Sequence, residues 1–374
     1  MKDGWKIARI GEICNVKTGK LDANAACENG KYPFFTCSKE TLRINTYSYD
    51  LECLLIAGNG DLNVKYYKGK FDAYQRTYIV SLKNNTLEIS TYYLYMFFSK
   101  YIEVLRNRSI GGVIKYIKLG DITNAKVLIP SYEEQSRIVE ELDLLSNIIE
   151  KKRQQLSELD NLAQSIFYDM FGDPVTNEKG WEVKKLKDIT SKIGSGATPK
   201  GGNESYKDEG ISLIRSLNVY NNSFKYKDLA HIDDEQSSAL NNVIVEIGDV
   251  LLNITGASVA RCCIVPMDVL PARVNQHVSI IRGKDVINKS FLNYLLTSNA
   301  YQSLLIMLSK SNGATREALT KGQLESLKII LPSLNLQLLF AQKIEAIEKE
   351  KELIKQSIKE TEELFNSRMD YYFG

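Results

Sequence analysis

Few residues in this chain could perform hydrolysis, and their spacing does not form a convincing catalytic site. A metal-dependent nuclease could be imagined from Asp173 and Glu182-Val183-Lys184, since carboxylates can hold a divalent cation beside a phosphate. The triplet Lys6-Ile7-Ala8, near the start of the chain, has the same position after a tryptophan as Glu182-Val183-Lys184. It has neither the acidic residue at its first position nor the basic residue at its third. Trp5 and Trp181 precede the two triplets, so the pattern is more typical of a structural strand start.

Motifs that would bind nucleotides or metals are also incomplete. Gly58-Asn59-Gly60 and Gly194-Ser195-Gly196 lack the third glycine of a dinucleotide fingerprint, and the sequence has no Walker-type phosphate loop. The six cysteines form no Cys-x-x-Cys pair, and His231 and His277 lie far from them, so no zinc site is predicted. No two of the seven prolines are adjacent, which excludes the Pro-Pro-aromatic loop of an amino-methyltransferase. We therefore expect a non-catalytic chain.

Composition and charge narrow the class further. The cysteines show no disulfide framework, and no segment resembles a signal peptide or a membrane span, so we expect a cytoplasmic protein. Net charge is only +2, but it is unevenly distributed. Residues 1–130 hold 19 Lys and Arg against 12 Asp and Glu, whereas residues 131–172 hold 4 against 9. This asymmetry modestly favours a polyanionic partner for the first segment.

An internal repeat organises the elements that must position any functional residues. Residues 109–172 and 311–374 align without a gap at a constant offset of 202. Ile129-Pro130-Ser131 matches Leu331-Pro332-Ser333, and both copies end in Phe-Gly. A repeat of this length predicts two similar half-molecules rather than a stack of short modules. The boundaries follow as a mixed segment at 1–131, a helix at 132–172, a second mixed segment at 173–332 and a second helix at 333–374.

Both predicted helices carry an apolar seam with heptad-like spacing over about five heptads. The simplest way to bury two seams of equal length is against each other, although the sequence alone leaves the direction of pairing open. Antiparallel pairing would follow if the halves are related by a two-fold axis. The predicted interface residues are Ile138, Leu142, Leu145, Ile149, Leu156, Leu159, Phe340, Ile344, Ile347, Ile354 and Ile358.

Several segments, taken in order, carry a family resemblance. Each half opens on a tryptophan segment, Gly4-Trp5-Lys6-Ile7 and Gly180-Trp181-Glu182-Val183. Gly196-Ala197-Thr198-Pro199 and Asn275-Gln276-His277 follow in the second half, and Ile129-Pro130-Ser131-Tyr132-Glu133-Glu134-Gln135 begins the first helix. Their order and their double occurrence resemble the specificity subunits of type I restriction-modification systems. The resemblance covers nearly the whole chain.

The first half departs from this pattern at two places. It has Thr18-Gly19-Lys20 in place of the Gly-x-Thr-Pro loop. It also has Gln75-Arg76-Thr77 where the second half has Asn275-Gln276-His277. Within this family such divergence is expected, because each half reads a different DNA sequence.

The resemblance implies an α+β fold with a pseudo-two-fold internal repeat. Two globular mixed α/β target-recognition domains would be separated by a pair of long antiparallel helices, a coiled coil. The domains would read a bipartite, asymmetric double-stranded DNA target, and the helices would set its spacer. The chain would need no cofactor. Two modification subunits would bind S-adenosylmethionine and methylate adenine, and two restriction subunits could supply ATP- and Mg-dependent cleavage.

The resemblance also implies which residue types should contact DNA. Lys and Arg would position the phosphates, and Arg, Asn and Gln would read base edges in the major groove. Each candidate could instead be an ordinary surface side chain or a turn residue. The candidates are Lys17, Lys65, Gln75, Arg76, Arg108, Lys115, Lys200, Arg215, Asn218, Arg261, Asn275, Gln276 and Arg316.

Three other functions remain open at this level. The chain could be the recognition subunit of a system that cleaves on both sides of its site, as type IIB-like systems do. It could be a coiled-coil scaffold with two protein-binding domains and no DNA role. The low net charge of residues 173–332, only +2, gives this alternative slight support. A stand-alone nuclease is the least favoured reading, because the site residues are incomplete.

Overall fold

The computed structural model describes residues 4–83, 88–310 and 317–374, and it divides into two compact units. Unit 1 comprises Met1–Arg153 and Lys355–Gly374, and unit 2 comprises Gln154–Ile354. Each unit combines a mixed segment of helices and strands with parts of two 40-residue helices. The predicted α+β class is confirmed. None of the helices in the described ranges has the length and apolar composition needed to cross a membrane.

Unit 1 is built on a six-stranded sheet with the order β2-β7-β5-β6-β3-β4, in which β3 and β6 run parallel and the other pairs antiparallel. A separate antiparallel pair joins β1 to β8. The strands are β1 (Lys6–Arg9), β2 (Cys14–Thr18), β3 (Tyr32–Phe35), β4 (Leu42–Ile44), β5 (Tyr49–Ala57), β6 (Val64–Ala73), β7 (Thr77–Leu82) and β8 (Lys126–Ile129). The helices are α1 (Ile10–Ile13), α2 (Thr91–Arg108), α3 (Leu119–Thr123) and the first part of α4 (Tyr132–Phe171).

Unit 2 contains two four-stranded sheets, with the orders β10-β19-β16-β17 and β14-β11-β18-β15, and the short pairs β12-β13 and β20-β9. The strands are β9 (Val183–Lys185), β10 (Thr190–Ser195), β11 (Ile211–Ile214), β12 (Val219–Tyr220), β13 (Ser223–Phe224), β14 (Ala230–Ile232), β15 (Ile244–Val245), β16 (Val250–Asn253), β17 (Cys262–Ile264), β18 (Ala272–Val274), β19 (Val278–Gly283) and β20 (Lys328–Ile330). The helices are α5 (Leu186–Ile189), α6 (Asp234–Ser238), α7 (Lys289–Thr297), α8 (Asn299–Lys310), α9 (Lys321–Ser326) and α10 (Leu334–Phe373), whose last part belongs to unit 1.

In both units the central strand separates two apolar cores. Successive side chains of a strand point to opposite faces, so an unbroken apolar run must be covered on both sides. On β5, Leu54 lies in one core and Leu55 in the other. On β16, Leu252 likewise lies in one core and Leu251 in the other. The two units therefore share a layered arrangement around equivalent strands.

The first long helix begins and ends at residues suited to those positions. The Ser131 hydroxyl accepts a hydrogen bond from the Glu134 amide (3.3 Å), as an N-terminal capping residue does. At the other end, Gly172 has a φ of 73°, and its amide donates to the Tyr168 carbonyl (2.8 Å). A positive φ after the last turn favours glycine, which stops the helix there.

A buried glutamine ties the first turn of α4 to unit 1. The Gln135 side chain is fully buried, and its Nε2 donates to the carbonyls of Glu88 (2.8 Å) and Pro130 (3.1 Å). Its Oε1 accepts from the Ser90 amide (2.9 Å), just before α2 begins. The amide group thus joins the helix start to the segment that leads into α2.

Gln337, which lies 202 residues later, repeats this arrangement at the start of α10 in unit 2. It is also fully buried, and its Nε2 donates to the carbonyls of Pro332 (2.9 Å) and Val286 (3.3 Å). Its Oε1 accepts from the amide of Asn288 (2.8 Å), the capping residue of α7. The predicted internal repeat therefore extends to individual hydrogen bonds.

Within each unit the parts of α4 and α10 run antiparallel. In unit 1, Glu141 pairs with Arg368 (Oε2–Nη2 2.9 Å), whereas Arg153, further along α4, pairs with Glu362 (2.6 Å), which lies earlier on α10. In unit 2, Asp160 pairs with Lys351 (2.7 Å), whereas Phe167, further along α4, packs against Phe340, which lies earlier on α10 (ring centres 5.7 Å apart). The direction of pairing that the sequence left open is thereby settled within both units.

The predicted interface residues all lie on the covered side of their helices. Six are buried, and the other five are half-buried. The buried residues are Ile138, Leu142, Ile149, Phe340, Ile344 and Ile347. The half-buried residues are Leu145, Leu156, Leu159, Ile354 and Ile358.

Candidate nucleic-acid interface

In unit 1, an exposed turn between β6 and β7 presents Gln75 and Arg76. The turn is held by its backbone, because the Gln75 amide donates to the Leu21 carbonyl (2.8 Å) and the Gly58 amide donates to the Arg76 carbonyl (2.9 Å). A cavity of about 360 Å³ opens beside it, lined in part by Tyr116. The two side chains are free to contact a ligand while their backbone is fixed.

In unit 2, the segment from Asn275 to His277 forms the corresponding turn before β19. Asn275 is buried, and its Oδ1 accepts from the His277 amide (3.0 Å), which holds the turn closed. Gln276 is exposed at the tip. The Ile254 amide donates to the His277 carbonyl (2.9 Å) and so fixes the end of the turn.

The backbone around the two turns follows one hydrogen-bonding scheme. In unit 1 the Ile117 amide donates to the Gly58 carbonyl (3.0 Å), and in unit 2 the Leu319 amide donates to the Ile254 carbonyl (2.8 Å). Gly58 is thus equivalent to Ile254, and the residues they bind in the turns, Arg76 and His277, are equivalent as well. We name the two segments 74–76 and 275–277 the reading turns.

This equivalence corrects the comparison made from sequence. That comparison placed Gln75-Arg76-Thr77 opposite Asn275-Gln276-His277, one residue out of register. In the structure Gln75 stands where Gln276 does. Both units therefore present a glutamine at the tip of the reading turn, followed by an arginine in one unit and a histidine in the other.

Two glycines let a second loop pass close to each reading turn. A Cβ added to Gly196 would lie 1.9 Å from the Val274 carbonyl oxygen, and one added to Gly19 would lie 2.1 Å from the Ala73 oxygen. No side chain fits at such distances, so only glycine permits this approach. Gly19 is the structural counterpart of Gly196, although the first half lacks the Gly-x-Thr-Pro sequence.

Next to Gly196, four side chains of unit 2 form a chain of hydrogen bonds. The Thr198 hydroxyl donates to Gln276 Oε1 (2.5 Å), and Gln276 Nε2 lies 3.2 Å from His277 Nε2. His277 Nδ1 lies 2.5 Å from the Thr255 hydroxyl. Thr198, Thr255 and His277 were absent from the sequence-based candidates, although the position of His277 beside Gln276 was an available signal.

The arginines of unit 2 stack on tyrosines. The Arg261 guanidinium lies 4.4 Å from the centre of the Tyr220 ring, and that of Arg215 lies 5.1 Å from the Tyr206 ring. Arg215 also donates to the Asp228 carbonyl (2.5 Å). Stacking on a ring holds a guanidinium in one orientation. Lys200 is exposed on the loop that follows Gly196.

The cationic candidates of unit 1 differ in exposure. Lys17 on β2 and Lys115 are exposed, as is Arg108, which donates to the Tyr101 hydroxyl (3.2 Å). Lys65 is half-buried and donates to the Ser38 carbonyl (2.5 Å). Burial lowers the pKa of the Lys65 amino group, against a smaller opposing effect of Cys37. Lys65 is therefore less suited to phosphate contact than the two exposed lysines.

The structure corrects the prediction that two asparagines, Asn218 and Asn275, contact bases. Asn218 is fully buried, its Oδ1 accepts from the Arg215 amide (3.0 Å), and its Nδ2 donates to the Lys225 carbonyl (2.8 Å). Its amide is used to hold a turn, as is the Oδ1 of buried Asn275. Neither side chain faces outward. Arg316 lies outside the described residues.

Apolar side chains near the unit 1 reading turn were missed by sequence reasoning. Val113 is fully exposed and Ile114 is 61% exposed, in a loop with Gly111 at a φ of 119°. Lys115 follows them directly. The usable signal was the Gly-Gly pair before two β-branched residues, which are uncommon at a solvent-exposed loop tip.

Within the described parts of the chain, no group of three His, Cys, Asp or Glu side chains could hold a metal ion. The site consists of amide, hydroxyl, imidazole and cationic groups, which can form hydrogen bonds to base edges and phosphates.

Comparison with known proteins decides the family. The model of the type I restriction modification DNA specificity domain matches residues 2–161 and 178–363, which is most of the chain. The chain belongs to this family. The two matches correspond to the two halves of the internal repeat.

Individual relatives agree with this assignment. The type I restriction enzyme EcoDI specificity subunit of Escherichia coli is 40% identical over 160 residues, 43% of this chain and 35% of that protein. The MjaIX specificity subunit of Methanocaldococcus jannaschii is 30% identical over 143 residues, 34% of this chain and 33% of that protein. In these alignments the chain spans about a third of the length of the curated relatives it matches.

A solved structure shares the fold over almost the full length. The type I restriction-modification S subunit from M. genitalium superposes with a TM-score of 0.60 at 14% identity, over 99% of this chain and 96% of that one. At this identity the likeness concerns the fold alone. The predicted fold class thus has support from an independent chain.

Proposed function

We propose that this chain is a non-catalytic specificity subunit that reads a bipartite, asymmetric DNA sequence, with one half-site for each unit. The observation that carries the proposal is the pair of reading turns. The same backbone scheme holds both turns, yet it presents Gln75 and Arg76 in unit 1 and Gln276 and His277 in unit 2. One framework with different side chains suits two readers of different sequences.

The residue types support contact with DNA. Exposed glutamine and arginine can form bidentate hydrogen bonds with adenine and guanine in the major groove, each worth about 1–3 kcal/mol of discrimination. The exposed cations Lys17, Lys115 and Lys200 would position phosphates, which adds affinity without sequence preference.

The paired helices would set the spacer between the half-sites and dock two modification subunits that methylate adenine. S-adenosylmethionine would bind to those subunits, and ATP and Mg would bind to two restriction subunits where these are present.

Methylome sequencing tests the main proposal. The chain would be expressed with its modification subunit in a host without other adenine methylation. One bipartite motif should appear methylated, and it should disappear when this chain is omitted. The purified chain alone should transfer no methyl group from S-adenosylmethionine. Persistence of the motif without this chain would reject the assignment.

A paired insertion tests the role of the helices. Seven residues would be inserted after Arg153 and seven after Ile354, so that the antiparallel seam stays in register. Seven helical residues add about 10 Å, so the spacer should lengthen by about three base pairs while both half-site sequences persist. Insertion into one helix alone serves as the control and should disrupt the pair. An unchanged spacer with the paired insertion would contradict the proposal.

A further inference from the structure

The orientation of one exposed amide in unit 2 is determined by its neighbours. Gln276 lies between Thr198, which contacts its Oε1, and His277, which contacts its Nε2. We propose that His277 is a positioning residue that fixes which way round the Gln276 amide faces, and so selects the base read by that amide. This inference rests on the proposed function and deepens it.

With the Gln276 amide oriented as it is in the structure, the donors and acceptors along this row of side chains follow. An amide nitrogen can only donate, so His277 Nε2 must accept from Gln276 Nε2. In this orientation of the amide, His277 Nδ1 donates to the Thr255 hydroxyl. At the other end, Gln276 Oε1 accepts from Thr198. Thr198 and Thr255 can each donate or accept, so the tautomer of His277 is what distinguishes the two orientations of the amide.

The hydrogen-bonding groups that remain unused on the Gln276 amide are available to a ligand. A glutamine amide has two N–H donors and two acceptor lone pairs. His277 takes one donor and Thr198 takes one lone pair, so one N–H and one lone pair are left on the exposed tip. A bidentate contact between glutamine and adenine requires one donor and one acceptor. The network thus leaves Gln276 with the groups needed for base reading and fixes their order.

The imidazole is well placed to act as a fixed reference. The His277 backbone is held on both sides, by its amide to Asn275 Oδ1 (3.0 Å) and by its carbonyl to the Ile254 amide (2.9 Å). The ring is half-buried, and its partner Thr255 forms a bridge with Ala318. Each ring nitrogen also has a hydrogen-bond partner, so the imidazole has a defined position beside the Gln276 amide.

Unit 1 has the same glutamine with different neighbours. Arg76 stands where His277 does, and a guanidinium only donates hydrogen bonds. Counting from the equivalent glycines Gly19 and Gly196, Leu21 stands where Thr198 does, and leucine offers no hydrogen bond. The two neighbours that orient Gln276 are therefore replaced at the equivalent positions beside Gln75. Two identical glutamines on one framework can then prefer different bases.

The test measures base preference in the assembled complex of this chain with its modification subunit. The probes are duplexes carrying the methylome-defined motif, with each base pair of the unit 2 half-site replaced in turn. His277→Arg places a donor at the ring position, so the amide should reverse and present Oε1 to it. The preference at one base pair should then change by roughly ten- to a hundredfold, while the unit 1 half-site keeps its sequence.

Two further variants separate positioning from simple stabilisation. His277→Asp supplies a carboxylate, which only accepts hydrogen bonds, and should retain the wild-type preference at that base pair. His277→Ala supplies neither group and should relax the preference. His231→Asn removes the other histidine, on β14 of the same unit, and should leave the preference unchanged. If all three His277 variants weaken binding to every duplex by the same factor, His277 only stabilises the fold, and the inference is wrong.

Gln276→Ala distinguishes this inference from the proposed function. One outcome is that Gln276→Ala loses discrimination at one base pair while His277→Arg discriminates as the wild type does. That result would reject the positioning role of His277 and leave the proposed function standing. If Gln276→Ala and the wild-type complex discriminate equally at every base pair of the half-site, the reading turn itself is not the reader, and the proposed role of the turn fails as well.

Discussion

The helix starts and the reading turns differ in how closely the two units agree. Gln135 and Gln337 make the same three kinds of hydrogen bond at the starts of α4 and α10. The reading turns share a backbone scheme, but their side chains and neighbours differ. The comparison indicates that the repeat preserves the positioning of the turns and leaves their chemistry free to vary. Four experiments can break or sharpen this comparison.

The helix starts should show the largest effect. Gln135→Ala removes the hydrogen-bond partner of the Ser90 amide and of the Glu88 and Pro130 carbonyls, so it should lower the free energy of unfolding by about 3 kcal/mol. Gln337→Ala should cost the same in unit 2. Chemical denaturation measures the loss, and hydrogen exchange locates it in one unit.

Matched controls lie on the same helices. Gln154 and Gln356 are exposed, and each donates to a glutamate four residues later at 2.8 Å. Their alanine variants should cost less than about 0.5 kcal/mol. Unequal losses for Gln135→Ala and Gln337→Ala would show that the two helix starts are not equivalent.

The close-contact glycines should show the next largest effect. Gly196→Ala forces its Cβ against the Val274 carbonyl and should cost about 2 kcal/mol. It should also impair binding of the unit 2 half-site only, and Gly19→Ala should do the same for unit 1. Gly194→Ala is the control, since nothing lies within 4 Å of its added Cβ. Equal impairment of both half-sites by Gly196→Ala would argue against separate readers.

A charged cluster should make unit 1 sensitive to acid. Arg368 donates to Glu141 and holds the pKa of that carboxyl below its usual 4.5, against partial burial, with a further contribution from the Tyr372 hydroxyl. A lowered pKa contributes stability above pH 4.5, and this is lost as pH falls through the lowered value. Glu141→Gln should cost about 1.5 kcal/mol at neutral pH and flatten the acid dependence.

The repeat positions in unit 2 carry no such cluster. Lys343, Ile166 and Met170 lie 202 residues from Glu141, Arg368 and Tyr372. Unfolding followed by hydrogen exchange between neutral pH and about pH 3 should therefore show the Glu141 effect in unit 1 alone. Glu140→Gln, at an exposed neighbouring position, should leave the acid dependence intact. An equal acid loss in Glu141→Gln and wild type would refute the assignment.

The smallest effect is expected in the helix seam. Lys351 is buried beside Asp160 and Glu348, whereas its repeat counterpart is Ile149. Lys351→Ile should change stability by less than about 1 kcal/mol in either direction, because an apolar group often replaces a buried ion pair without loss. Lys349→Ile, at an exposed position, is the control for unfolding measurements. A loss well above this range would indicate that Lys351 determines the register of the seam.

Much of the scaffold was predictable because it depends on periodic patterns. The heptad seam, Pro130 and Gly172 define α4 closely, and the offset of 202 transfers those bounds to α10. The same offset relates Gln135 to Gln337. Helices and their ends follow from local sequence, which is why the repeat is clearest there.

The reading turns were less predictable for two physical reasons. Loops of different length lie between equivalent elements, so the offset falls from 202 at the helices to 201 at the turns, and the sequence comparison slipped by one residue. Residue type also does not reveal burial. Asn218 and Gln276 are both polar turn residues, yet one amide is enclosed by backbone and the other is exposed.

The glycine contacts have a consequence for how new specificities arise. Because Gly19 and Gly196 fix the path of their loops by backbone contact alone, the side chains that follow them carry little of the folding energy. Substitutions at positions such as Lys20 or Thr198 can then be sampled by mutation with a small risk of unfolding. Under the proposed function, single codon changes at these positions would give new DNA targets without loss of the fold.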